Sequence, residues 1–336
     1  SEMCIRDRCR DMQIPFKVFP TGFLEKIAFG IPPIYCTEHF EKVRYTVTVK
    51  RNKRNKKNKK SQKRQKKRDF VHYLYSTRTG RILLKGIQHT GALTVAEWFM
   101  GTGMSRPLIK RYIKKNNIDM SPFGDQHFRN FQDFFVRRRP DVPVDHTPSH
   151  MISPCDGWLS VYPIEKDSRF CIKGSYYSVS DLVQDERAPE LFLGGQCLVF
   201  RLTPLDYHRY CFIDNGFQGK NHFINGTLHS VQPIACERVP VYRLNRRMWT
   251  LMETENFGTV AQIAVGALLV GGIVNEFENC FFRKGEEMGH FELAGSTIVL
   301  LFQRNKIELL PEIRSHCTPD NEYRVLQGQR IGSKKD

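Results

Sequence analysis

The sequence predicts an α+β fold: N-terminal amphipathic helices followed by a mostly antiparallel, sandwich- or barrel-like β body. Three observations predict it. Apolar residues between Val95 and Ile113 recur at helical spacing. Beyond Ile152, short runs of Val, Ile, Leu, Phe and Tyr are separated by Gly, Asp and Asn turns. Helices precede strands instead of alternating with them, which separates α+β from α/β. At 336 residues without an evident internal repeat, the chain is long enough to bury a sizeable core.

Residues 1–70 are poorly patterned and form a basic extension, read as disordered or extraneous. The opening "SEMCIRDRCR" lacks the charged n-region, apolar h-region and small-residue cleavage site of a signal peptide. The formal charge is +17, but Lys50 to Arg68 carries 13 basic residues and no acid, leaving +4 elsewhere. Such a block repels itself and acts as an interaction arm or a solvated spacer. Anionic lipid headgroups are one partner it suits. It lacks the aromatic interleaving or module of a nucleic-acid binder, so no nucleic acid is expected.

Residues 71–150 read as a helical, membrane-proximal region. In "TVAEWFMGTGMSRPLIKRYIKKN" the apolar positions fit two short helices broken at Gly101-Thr102-Gly103 and Pro107. Two readings compete there: a helical subdomain packed on the core, or a surface element that meets a membrane through Trp98, Phe99 and Met100. "FRNFQDFFVRRRPDVPVD", Phe128 to Asp145, predicts an amphipathic helix closed by Pro140.

Residues 151–336 form the β-rich part. No apolar run reaches the length of a membrane span. The most apolar stretch, Gly258 to Val274, is broken by four glycines and reads as two buried strands. Ten cysteines without a CxxC pair argue against a structural zinc or a redox motif, so no metal is expected. Free thiols fit a reducing compartment.

Three segments of this region concentrate reactive groups. "SPCDGWLS" places Asp156 in a turn, where an aspartate ordinarily bonds nearby backbone. "RLTPLDYHRYCF" carries His208 among apolar and aromatic neighbours. "KGEEMGHFELAGSTIVLLF" sets a small, flexible Gly295-Ser296 pair directly before a strand of five apolar residues. Serine, histidine and aspartate together suggest a nucleophile, a base and an orienting group. The absence of a G-x-S-x-G elbow argues against a standard hydrolase.

From Tyr73 to Leu309 the chain resembles the phosphatidylserine decarboxylases, self-processing pyruvoyl enzymes, in a bacterial-type form. "FQDFFVRRRPDVPVD", "ISPCDG", "LTPLDYHRY", "VGALLVGGI" and "KGEEMGHFELAGSTIVLLF" occur in the order of that family. The resemblance implies cleavage between Gly295 and Ser296, giving a β chain of residues 1–295 and an α chain of residues 296–336 that stay together as a heterodimer. The serine hydroxyl would attack the preceding carbonyl, β-elimination would release residues 1–295, and the dehydroalanine left at position 296 would tautomerise and hydrolyse, losing ammonia, to a covalent pyruvoyl group. That ketone would form a Schiff base with the serine amine of phosphatidylserine, releasing carbon dioxide and then phosphatidylethanolamine. Glycine at 295 removes the Cβ that would crowd the attack. A peripheral position on the cell membrane, at its cytoplasmic face, follows by the same analogy.

Roles carry over residue by residue. Asp156 matches the aspartate that orients the processing histidine, and His208 the first histidine of the family's Asp-Tyr-His-Arg-x-His pattern. The second histidine, the usual processing base, falls at Cys211 here. A thiol is a poor replacement, with a higher pKa and no second nitrogen. His229 in "GTLHSVQPIA" is the expected substitute, with His208 serving both steps as the alternative. A processing-deficient relative that only binds phospholipid is the competing functional reading.

Overall fold

The structure, a computed structural model, describes residues 70–165, 169–172, 175–268, 272–293, 296–317 and 321–335. The basic run Lys50–Arg68 and Gly295 lie outside the described residues.

Among the described residues four helices come first: Phe70–Ser76, Arg78–His89, Ala92–Met100 and Arg106–Asn116. Thr77 caps the second by accepting the Gly80 N–H at 2.9 Å. Gly91, at φ +67°, supplies the left-handed turn into the third. Pro107 does not break a helix. It occupies the first turn of Arg106–Asn116, where a missing N–H costs nothing.

The stretch from Phe128 to Asp145 differs from the sequence reading. Its helix is only Phe131–Phe135, capped by the Asn130 side chain on the Asp133 N–H at 2.8 Å. One local and one tertiary set of bonds end it before Pro140. Arg137 folds back so that Nη1 donates to the carbonyls of Phe134 and Phe135. The Arg139 N–H donates to the Tyr207 hydroxyl at 3.2 Å. These bonds satisfy the final carbonyls and fix the next residues in an extended path.

The β body consists of antiparallel sheets, the largest with nine strands. Its order runs Cys280–Phe282, Gly216–Gln218, Arg247–Thr254, Gly258–Val265, Ser296–Phe302, Gln196–Leu202, Gly157–Pro163, Tyr323–Val325, with His222–Ile224 beside Arg247–Thr254. Among the described residues the sheet is open, with no closed barrel. A second sheet joins Ile273–Asn275, Glu287–Phe291 and Arg209–Cys211. The glycine-broken segment thus yields two strands, Gly258–Val265 and Ile273–Asn275.

Ser296–Phe302 lies in the middle of the large sheet and is buried at every position. Burial on both faces explains its unbroken apolar run. Ile298, Val299, Leu300, Leu301 and Phe302 are all fully buried and together contribute on the order of 10 kcal/mol of apolar burial. A separate small core gathers Ile109, Phe131, Phe134, Phe135 and Leu293. It ties the helical region to the segment leading into Ser296.

Candidate active site

Ser296 opens its strand opposite Leu202, the last residue of Gln196–Leu202. The chain then turns sharply at Thr203–Asp206. The Thr203 N–H donates to Asp206 Oδ2 at 2.6 Å, and the Asp206 N–H donates to the Thr203 carbonyl at 3.0 Å. This clamped turn returns the chain to Ser296 and delivers His208 against it.

His208 is fully buried. Its Nε2 lies 3.0 Å from the Thr203 carbonyl oxygen, which can only accept, so Nε2 carries the proton. Nδ1 is left bare and accepts from the Ser296 hydroxyl at 3.2 Å. The Phe135 ring lies against the imidazole at 4.1 Å and Phe291 approaches edge-on at 6.5 Å. Burial pulls the His208 pKa down to about 3, although nearby Asp206 opposes the shift. The imidazole is therefore neutral at physiological pH and able to take a proton.

Asp156 is buried, but its carboxylate orients no imidazole among the described residues. It holds the Arg139 guanidinium in a bidentate pair at 3.2 and 2.5 Å and accepts the Gln327 N–H at 3.0 Å. Arg139 also lies over the Tyr207 ring at 4.4 Å. Cys211, where a second histidine was expected, is buried beside the same turn. Its N–H donates to the Pro154 carbonyl at 2.8 Å. Burial pushes its thiol up to about 12, so it holds its proton.

The structure does not bring His229 to Ser296. His229 Nδ1 accepts from the Tyr75 hydroxyl at 3.1 Å and faces Gln88 Nε2 at 3.4 Å, both on the helices. Tyr75 in turn accepts the Ser230 N–H at 2.9 Å. His229 thus fastens the helical region to the β body. Of the predicted set, Ser296 and His208 meet, whereas Asp156 and His229 each serve other partners.

Thr203, Asp206, Arg139 and Phe135 complete the site, and the sequence reading gave none of them a place in it. Only the Thr203-Pro-Leu-Asp206 spacing carried a signal, that of a side-chain-capped turn. A cavity of about 540 Å³ adjoins the site, lined by Met100, Leu108, Tyr112, Phe131, Phe135 and Leu293 among others. It leads from the exposed helices to the Phe135 ring that lies against His208. Elsewhere, Glu276, Glu287 and His290 place ligand-type atoms within 4.8 Å of one another. Arg209 and Arg138 already engage Glu287, so the group functions as an ion-pair network.

A buried serine hydroxyl within hydrogen-bond reach of a buried imidazole is the arrangement that enzymes with a histidine-activated serine use. Comparison with known proteins identifies which kind. A family model described as phosphatidylserine decarboxylase matches residues 131–333. Phosphatidylserine decarboxylase proenzyme 2 of Clostridium acetobutylicum is 40% identical over 273 residues, covering 80% of this chain and 94% of that protein. The proenzyme of Clostridium botulinum strain Alaska E43 is 34% identical over 275 residues, 80% and 93% of the two chains. That of Clostridium perfringens strain SM101 is 37% identical over 243 residues, 70% and 83%. The chain belongs to the phosphatidylserine decarboxylase family and is a decarboxylase.

Proposed function

We propose that the chain cleaves itself between Gly295 and Ser296 and then decarboxylates phosphatidylserine to phosphatidylethanolamine. The observation that carries this reading is the 3.2 Å contact from Ser296 Oγ to the unprotonated Nδ1 of His208. His208 takes the hydroxyl proton as Oγ attacks the preceding carbonyl. The same imidazolium can return that proton to the departing amide nitrogen, so one histidine balances the acyl shift. Desolvation matters here: the buried site spares the nucleophile and base competing bonds to water.

The residues fit a pyruvoyl group derived from Ser296. A residue at this position is fully buried, fixed in the sheet by pairing with Leu202, and faces His208. Such a group supplies an electron sink for the carbanion left when carbon dioxide departs. His208 stands where it can hold or return a proton at the reacting carbon. The buried strand keeps residues 296–336 attached after cleavage.

The substrate's tails belong with the helical region. Trp98 and Met104 are 67% and 71% exposed, and Val95 and Ile82 also face outward. Arg106, Lys110, Arg111, Lys114 and Lys115 are exposed on the neighbouring helix. Apolar and basic side chains together suit an anionic lipid surface. No described helix is long and apolar enough to cross a membrane, and we assign the protein a peripheral position. The 540 Å³ cavity then offers an apolar path from that surface to the site.

Intact mass under denaturing conditions tests the reading, with Ser296→Ala as control. The expected result is a fragment spanning residues 296–336 with a blocked N-terminus, absent from the control. Carbon dioxide release from phosphatidylserine vesicles should require that fragment. An uncut, inactive chain would favour the phospholipid-binding alternative.

A further inference from the structure

Self-processing needs His208 in one tautomer, and the structure shows what selects it. The selecting group is a single carbonyl, that of Thr203, 3.0 Å from Nε2. Thr203 is the first residue beyond the strand Gln196–Leu202 and so has no ladder to hold it. Asp206 holds it instead, with its carboxylate on the Thr203 N–H and its own N–H on the Thr203 carbonyl. The carboxylate is itself fixed. Its second oxygen pairs with Arg324 at 2.6 Å, and its side chain is only 5% exposed. Arg324 is anchored in Tyr323–Val325, opposite Trp158, with its guanidinium over that ring.

We infer that Asp206 is the positioning residue of this site, holding His208 through the Thr203 carbonyl in the tautomer that accepts the Ser296 proton. The inference rests on the self-processing reading and deepens it. Asp156 is not available for the task, because Arg139 and the Gln327 N–H occupy its oxygens. Asp206 also places a negative charge near the imidazole, where it favours the imidazolium formed as Ser296 is deprotonated. Its partner Arg324 lies in the part of the chain that follows Ser296. The smaller product chain therefore continues to brace the turn after cleavage.

The test has two arms. In the first, a Ser296→Ala chain, which stays uncut, is labelled with ¹⁵N in its histidine rings, and His208 is assigned by difference against His208→Gln. The parent should show one protonated and one bare nitrogen, with Nε2 carrying the proton. Adding Asp206→Ala should move both ring nitrogens toward the averaged shifts of a tautomer mixture. An unchanged His208 spectrum would overturn the inference. In the second arm, chains retaining Ser296 are followed for cleavage over time by mass. Asp206→Ala should slow cleavage about 10-fold or more. Asp206→Asn, which keeps an acceptor for the Thr203 N–H without the charge, should fall between it and the parent. Cleavage by both variants at the parent rate would also overturn the inference. If Asp206→Ala fails to fold, Asp206→Asn carries both arms. If the parent itself never cleaves, the self-processing reading fails, while the tautomer arm still decides the role of Asp206.

Discussion

His208 and Ser296 are 88 residues apart in sequence, yet Nδ1 and Oγ lie 3.2 Å apart in a fully buried setting. A bare nitrogen facing a hydroxyl is the arrangement of a general base with its nucleophile. His208→Ala should therefore slow cleavage by about 100-fold or more. His229→Ala should leave cleavage within about 3-fold of the parent, because its ring serves Tyr75 and Gln88. Time courses of the released 296–336 fragment check both. Loss of cleavage in His229→Ala with His208→Ala still active would reverse the assignment.

The difference between these two histidines marks where sequence reasoning stops. The helix-then-strand order is legible because period and turn chemistry are local properties. The buried strand after Ser296 is equally legible, since burial on both faces leaves only apolar residues. Partner choice is not local. Asp156 lies in a readable turn, but its pairing with Arg139 depends on a helix ending at Phe135 instead of Pro140. That ending was hidden because Arg137 satisfies the last carbonyls itself. Cys211 signalled a missing base, but sequence alone favoured His229 over His208, and the structure places His229 against Tyr75 and Gln88 instead. The choice depends on the Thr203–Asp206 turn, whose side-chain bond becomes meaningful only once Leu202 is paired with Ser296.

Acid sensitivity follows from the same burial. The His208 pKa falls to about 3 in the folded chain from an ordinary 6.5. Between those values the unfolded chain binds a proton that the folded chain does not. Stability therefore rises with pH through this window and is lost as pH falls into it. By pH 4.5 this one group costs roughly 3 kcal/mol. In a Ser296→Ala background, urea unfolding at pH 7 and pH 4.5 should show a smaller acid loss for His208→Gln than for His208. Equal losses in the two chains would show that His208 contributes no such linkage.

Asp156 and Arg139 make a different prediction, one of stability. The carboxylate is 2% exposed and the guanidinium 21%, with the Gln327 N–H as a third member. Removing the carboxylate leaves a mostly buried cation and an unsatisfied N–H, which costs about 3 kcal/mol. Asp156→Ala should show that loss in urea unfolding. A double variant that also carries Arg139→Gln should recover part of it. A loss under about 0.5 kcal/mol would place the pair among weak surface contacts.

The helical region makes the last prediction, about membranes. Trp98 and Met104 expose large apolar side chains that the fold leaves unburied, next to a helix whose outer face is basic. Each is expected to gain roughly 1.5–3 kcal/mol by burial in an interface, and the lysines and arginines add attraction to anionic headgroups. Trp98→Ala combined with Met104→Ala should weaken sedimentation with phosphatidylserine-containing vesicles by about 10-fold or more. Raising the salt concentration should weaken the parent as well, since exposed charges are screened. Neither substitution touches the Ser296–His208 contact, so cleavage should proceed normally in the double variant. That combination, normal cleavage with lost vesicle binding, separates substrate delivery from site assembly. Unchanged vesicle binding would instead make this face a surface with no part in reaching the lipid.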